Sequence, residues 1–250
     1  MILVFPAVKE LENSAAEIFV ASARRAVRER GSFAAALSGG SSPRGVFRLL
    51  ARPGFSRRVP WRKTHVFWVD ERLVPLSSPQ SNAGLAERLL LRHVPIPPNQ
   101  VHPVPVGLQP HRAAAEYEAE LSRFFGGKAP RFDLIFLGLG ENGHTASVFP
   151  RSQALAEKKR WVVPLVRRGE GFHRLTMTPP VLSRGRDVVF IVYGPEKAAA
   201  LSRTLSRSRR HPAPLPAQLI RPVPPGRVLW LVDRKAASVL GSCELTSGIQ

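Results

Sequence analysis

Short apolar runs alternate with amphipathic stretches along nearly the whole chain. Val, Ile, Leu and Phe concentrate at 2–5, 33–37, 65–69, 132–137, 187–193 and 228–232, with the length and residue types of strands. Between them, 9–30, 82–92, 111–125, 195–206 and 233–240 carry Ala, Leu, Glu and Arg at helical spacing, with Asn13 or Ser14, Asn82 and Asp233 near their expected starts. Strands that are continuously apolar, alternating with helices, predict an α/β fold: a Rossmann-like, mostly parallel sheet with helices on both faces. Segments 94–110 and 207–226 hold much of the proline and predict perimeter loops. Neither reads as a linker, since the alternation resumes at once, so residues 1–250 are expected to form a single domain. No internal repeat is visible.

Composition narrows the class. With 44% hydrophobic and 22% charged residues, the chain is neither a disordered nor a collagen-like sequence. No run approaches the roughly 18 consecutive apolar residues of a membrane span, and the N-terminus has no basic, then apolar, signal-peptide pattern. The chain is therefore expected to stay in the cytoplasm, and the lone Cys243 fits that reducing compartment, offering neither an internal disulfide nor a cysteine-rich metal site. The net charge of +19 comes from 37 basic against 18 acidic residues, and only seven of the 37 are lysine. Such a field attracts phosphate anions non-specifically. The basic residues are scattered, however, densest at Arg24-Arg25, Arg57-Arg58, Lys158-Lys159-Arg160 and Arg203 to Arg210. Only 8% of residues are aromatic, most of them inside strand runs. No basic face interleaved with aromatics is present, so no specific nucleic-acid partner is expected. No motif specifies an oligomeric state.

In a parallel α/β sheet the ligand lies at the carboxyl ends of the strands. Four loops occupy those ends. The first, Ser38-Gly39-Gly40-Ser41-Ser42-Pro43, precedes a helical run from Arg44 to Ala51. Its glycines permit close backbone approach, and free amides and hydroxyls at a helix start suit an anion. It also reads as a plain connecting turn, and it lacks the Gly-Lys-Ser/Thr of a Walker A loop. The second, Asp70-Glu71-Arg72 with Ser81-Asn82 downstream, puts charges where a buried strand ends. That suggests either a polar pocket wall, with Arg72 able to grip phosphate, or an ion pair closing the strand.

The third loop runs Gly138-Leu139-Gly140-Glu141-Asn142-Gly143-His144-Thr145-Ala146-Ser147-Val148-Phe149-Pro150. Its glycine spacing matches a dinucleotide fingerprint, but Pro150 leaves no room for the long helix such a site needs, and Glu157, the candidate ribose acid, ends no strand. What remains is a glycine turn delivering one imidazole, His144, to the mouth of the sheet as a candidate general base. In the fourth group, Arg174 and Lys197 stand beside apolar strand sequence as candidate phosphate cations; taken singly, each also reads as a solvated surface charge.

In order and spacing these segments resemble the 6-phosphogluconolactonase family, in the superfamily that also holds glucosamine-6-phosphate deaminase. The resemblance runs from Ser-Gly-Gly-Ser-Ser-Pro through Asp70-Glu71-Arg72, Ser81-Asn82, the His144 loop and Arg174-Leu-Thr to Gly194-Pro-Glu-Lys197, nearly the whole chain. It implies the sugar-phosphate isomerase/lactonase type of fold and hydrolysis of 6-phospho-D-glucono-1,5-lactone in the oxidative pentose phosphate pathway, without metal or organic cofactor. It assigns His144 as base and Gly39, Gly40, Ser41, Ser42, Arg72, Arg174 and Lys197 to substrate oxygens, chiefly the phosphate. The deaminase is expected to carry glutamate five residues after its histidine and tyrosine after its Asp-Glu pair. Here those positions are Phe149 and Arg72, and both differences favour the lactonase. One departure goes the other way. Both enzymes are expected to have aspartate two residues before the histidine, where this chain has Asn142, whose amide can fix an imidazole tautomer but not stabilise its cation by charge. Asp70 is the candidate to supply that carboxylate if the two strand ends adjoin. A deaminase, or a sugar-phosphate-binding protein that has lost the base's partner, remain the alternatives.

Overall fold

The computed structural model describes residues 1–167, 169–206 and 214–241, and its strands build two sheets. In chain order the elements are β1 (Ile2–Phe5), α1 (Val8–Arg30), β2 (Phe33–Leu37), α2 (Arg44–Ala51), α3 (Pro53–Ser56), β3 (Thr64–Trp68), β4 (Asp70–Arg72) and α4 (Asn82–Leu89). There follow α5 (Pro110–Phe124), β5 (Leu134–Leu137), α6 (Gln153–Ala156), β6 (Val162–Val166), β7 (His173–Met177), α7 (Pro179–Leu182), β8 (Asp187–Val192), α8 (Ala198–Leu205) and β9 (Arg227–Asp233). The larger sheet has the order β1-β9-β8-β5-β2-β3, and every pairing in it is parallel.

Register and side-chain period show why the strands are apolar throughout. Phe33 pairs with Thr64 and Ala36 with Phe67, so Phe33 and Phe67 lie on opposite faces. On one face Phe19 of α1 meets Phe33 edge-on at 5.2 Å. On the other, Phe124 of α5 meets Phe67 at 5.0 Å. Helices cover both faces, as the uninterrupted apolar runs require. Strand β2, between β5 and the edge strand β3, is alanine-rich and wholly buried, leaving room for the large rings of its neighbours.

The second sheet is the main addition to the sequence reading. β4, β7 and β6 form a small antiparallel sheet in that order. The hinge between the sheets is Val69: its amide donates to Leu37 of the large sheet at 2.9 Å, and its carbonyl accepts from Met177 of the small one at 2.7 Å. Asp70-Glu71-Arg72, expected as a loop, is therefore a short strand. Other boundaries also move. The expected helix 233–240 is a run of turns: Asp233 closes β9, and its Oδ1 is shared between the amides of Ala236 and Gly194. The stretch 195–206 begins as a 3₁₀ turn, and 82–92 ends in one. Asn13 and Ser14 lie inside α1, which begins at Val8. Of the expected loop 207–226 and the basic group ending at Arg210, residues 207–213 lie outside the described residues, as does Cys243. No helix among the described residues is long and apolar enough to cross a membrane.

Candidate active site

The carboxyl ends of β2, β3 and β5 and the inner edge of the small sheet enclose a cavity of about 310 Å³. Its walls bring together Gly39, Gly40, Ser41, Ser42, Asp70, Arg72, His144, Arg174 and Lys197, segments separated by up to roughly 160 residues of chain. Asn142 stands just outside, bonded to the ring of His144. Arg167 and Phe149 line the same cavity; from sequence, Phe149 served only to separate lactonase from deaminase, and Arg167 was not singled out. Arg167 sits in a polar stretch with no spacing signal; only its place in the fold reveals it.

The first wall is the Ser38 loop. Among the described residues, the amides of Gly39 through Ser42 donate to no protein group, and the eight-residue helix α2 begins immediately after Pro43. Gly39 is required by packing: a Cβ there would lie 1.8 Å from Asn82 Oδ1. Opposite stands the hinge strand β4. Glu71, fully buried, accepts at Oε1 from the amides of Arg72 and Asn82, both at 2.8 Å, and at Oε2 from Ala83 N at 2.7 Å and Ser81 Oγ at 3.2 Å. Burial pushes its carboxyl up from the ordinary value, against the pull of those amides. This carboxylate ties β4 to the start of α4. Asn82 in turn donates through Nδ2 to the carbonyl and Oδ1 of Asp70, at 2.8 and 3.2 Å.

The third wall carries the histidine. Gly143 adopts φ +79°, and the turn closes through Gly143 N to Gly140 O and Gly140 N to His144 O, each 2.8 Å. No helix starts at this turn, and the next one, α6, is four residues long, so it is not a dinucleotide loop. The His144 ring lies against Gly140, where a Cβ would come within 2.0 Å of Cε1 and Nδ1, and tilts over Phe149 with centroids 4.5 Å apart. Asn142 Oδ1 accepts from the His144 backbone amide at 3.1 Å and meets Nδ1 at 2.6 Å. The backbone amide can only donate, so the atom facing it is the carbonyl oxygen, and Nδ1 must carry the proton. The ring's acceptor is then Nε2.

Four cations surround this imidazole. Burial first, then Arg167, Arg174, Lys197 and Arg72, push the His144 pKa down to about 4, so the ring is neutral at physiological pH. The cations are not equally free. Arg174 is bound through Nε and Nη2 to both oxygens of Glu170, at 2.7 and 2.8 Å, and its Nη1 donates to Ser147 Oγ at 3.3 Å. Arg167 shares Glu170 at 3.3 Å. Lys197 has only a loose pairing with Glu141, 3.8 Å away. Arg72 donates through Nη1 to Gln80 O at 2.7 Å, while its buried Nε has no partner. Arg72 and Arg174 face each other across β4 and β7, a like-charge pair that an anion between them would relieve. Asp70 does not reach the imidazole through a hydrogen bond: its oxygens accept from Ser147 and Asn82. The imidazole's partner is Asn142. Among the described residues, no group of three or more His, Cys, Asp and Glu side chains is placed to hold a metal ion.

Comparison with known proteins gives consistent relatives. Residues 6–230 match the model of the glucosamine-6-phosphate isomerases/6-phosphogluconolactonase family. A 6-phosphogluconolactonase of Synechocystis is 41% identical over 220 residues, 86% of this chain and 88% of that protein. The solved 6-phosphogluconolactonase from Trypanosoma cruzi superposes with a TM-score of 0.83 at 29% identity, covering 96% of both chains. A monomeric glucosamine-6-phosphate deaminase superposes at 0.76 with 21% identity over 95% of this chain and 98% of that one, a likeness of fold alone.

Proposed function

The chain belongs to the glucosamine-6-phosphate isomerase/6-phosphogluconolactonase family, and from that membership we infer that it hydrolyses 6-phospho-D-glucono-1,5-lactone to 6-phosphogluconate in the oxidative pentose phosphate pathway. It is a hydrolase of a lactone ester. Its setting is the cytoplasm, in keeping with a chain that has one cysteine.

The chemistry follows from the site. Water must be deprotonated as it attacks C1, the carbonyl oxygen must be stabilised as it becomes an oxyanion, and the ring oxygen must leave with a proton. His144 Nε2 takes the proton from water and returns it to the ring oxygen when the tetrahedral intermediate collapses, leaving a carboxylic acid and a 5-hydroxyl group. Asp70, an acceptor lining the same cavity, holds the water's second hydrogen and directs its lone pair at C1. The substrate phosphate lies against Arg72 and Lys197, the two least committed cations, and against the free amides and hydroxyls of Gly39 to Ser42. Arg167 and Arg174 add positive potential near the developing oxyanion.

The observation that carries this reading is the double contact of Asn142 Oδ1 with the His144 amide and Nδ1: it assigns the proton to Nδ1 and leaves Nε2 as the acceptor among four cations. Phe149 supports hydrolysis over deamination, since an apolar ring packed on the imidazole cannot relay a proton to a sugar ring oxygen. The test generates the lactone in situ and follows acid release, subtracting spontaneous hydrolysis, for the wild type and His144→Gln. Loss of at least a hundredfold in kcat is expected; equal rates would remove His144 as base. Ammonia release from glucosamine 6-phosphate would overturn the choice of reaction.

A further inference from the structure

Three residues after the imidazole, the same loop buries a hydroxyl that the mechanism above does not use. Ser147 is fully buried and does not line the cavity, so it is no nucleophile. Its Oγ lies 2.6 Å from Asp70 Oδ2 and accepts from Arg174 Nη1 at 3.3 Å, while its amide donates to Thr176 Oγ1 at 3.2 Å. Because Oγ receives a hydrogen from the guanidinium, its own hydrogen is left to point at the carboxylate. Arg174 cannot swing away, being held side-on by both oxygens of Glu170. The link between the two functional positions is Ala146, a non-glycine residue at φ +48°. A left-handed alanine costs energy and persists where surrounding contacts impose it; here it turns the chain so that His144 faces the cavity and Ser147 faces away from it.

We propose that Ser147 is a positioning residue that, oriented by the Glu170-Arg174 pair, fixes Asp70 for its role toward the attacking water. Asn82 holds one carboxylate oxygen and Ser147 the other, so the rotation of Asp70 is set from both sides while the residue borders the cavity. This rests on the reading of Asp70 given above. It also gives Arg174 a task besides attracting anions, which accounts for the commitment of its donors to Glu170 and Ser147.

The test measures kcat and KM for lactone hydrolysis in Ser147→Ala, Ser147→Cys, Asp70→Asn and the Asp70→Asn/Ser147→Ala double variant. Loss of a hydrogen bond to a charged group predicts a kcat about 10- to 100-fold lower in Ser147→Ala, with KM within about twofold because no substrate contact is removed. Ser147→Cys, which keeps a weak donor of similar size, falls in between. In the Asp70→Asn background the serine substitution adds no further loss. A wild-type kcat in either serine variant overturns the proposal, as does a loss that multiplies in full on Asp70→Asn. Should Ser147→Ala fail to fold, Ser147→Cys decides alone. Asp70→Asn at wild-type kcat would sink the reading of Asp70 and this inference with it, whereas an impaired Asp70→Asn beside normal serine variants would sink only the inference.

Discussion

Asn142→Asp converts a neutral partner of the proposed base into a charged one without changing the side chain's length. The amide oxygen is 2.6 Å from Nδ1, so a carboxylate there would stabilise the imidazolium directly. Two unit charges about 4 Å apart attract by roughly 4 kcal/mol at an effective dielectric of 20 and about 1 kcal/mol in bulk water. Asn142 is exposed while the His144 ring is half-buried, so after solvent screening the attraction falls between these ends, and the imidazole's pKa should rise by about one to two pH units. From about 4 in the native protein it moves toward the 5–6 region, on an order-of-magnitude scale. The sign of the rate effect then depends on pH. Near pH 8 both rings are neutral, and the variant's stronger base should raise kcat by about three- to tenfold on a Brønsted dependence. Near pH 5 the variant's ring is partly protonated and its advantage disappears. The assay is the acid limb of kcat/KM against pH, with His144→Gln defining the background. An acid limb that stays in place in a folded Asn142→Asp protein would refute the assignment of His144 as the titrating base or the Nδ1 contact that orients it.

Three further outcomes follow from the same geometry. The acid limb of kcat should lie above that of kcat/KM, because a bound phosphate offsets the four cations that hold the free enzyme's imidazole down; coincident limbs would place the phosphate elsewhere. Gly140→Ala puts a methyl group where the His144 ring now lies, so kcat should fall about a hundredfold from ring displacement while the melting temperature changes little, both measurable on one preparation. Glu71→Gln replaces one acceptor oxygen of a fully buried group with an NH₂ facing amide or hydroxyl donors. About 2–3 kcal/mol of stability should be lost, lowering the melting temperature by roughly 4–12 °C in a chain of this size; an unchanged melt would mean that this carboxylate does not tie β4 to α4.

What could be read in the sequence was chemistry concentrated where strands end. Ser38 to Pro43, Asp70 to Arg72 and the His144 loop each follow an apolar run, so the topology of a parallel sheet was enough to bring them together. The small sheet escaped because none of its strands carries the usual signal. β6 contains Pro164, β7 opens on His173 and Arg174, and β4 is three charged or polar residues long. Such strands are specified by their partners, through the Val69 hinge and the Glu71 contacts, rather than by their own propensity. The expected helix after Asp233 failed for the converse reason. The aspartate is a sound cap and accepts from Ala236 at 2.9 Å, but it also receives the Gly194 amide at 3.1 Å, so the cap is shared with the neighbouring strand end.

The seam between the sheets explains why the site has its particular charge pattern. A parallel sheet alone offers backbone amides and helix starts, which favour anions but discriminate poorly among them. Adding an antiparallel ribbon at the hinge brings Arg72 and Arg174 into direct register, and two guanidiniums so placed repel unless an anion pairs with at least one of them. Arg174 has its own, Glu170, supplied four residues earlier in the chain. Arg72 has only a carbonyl and an unpartnered Nε, so on the proposed reading its counter-charge arrives with the substrate. On the proposed reading the asymmetry separates the duties of the two arginines: one is paired in advance and holds Ser147 and Asp70 in place, while the other stays uncompensated and draws the phosphate. A fold that paired both internally would lose affinity, and one that paired neither would bear a repulsion across the β4–β7 ladder whenever the cavity stood empty.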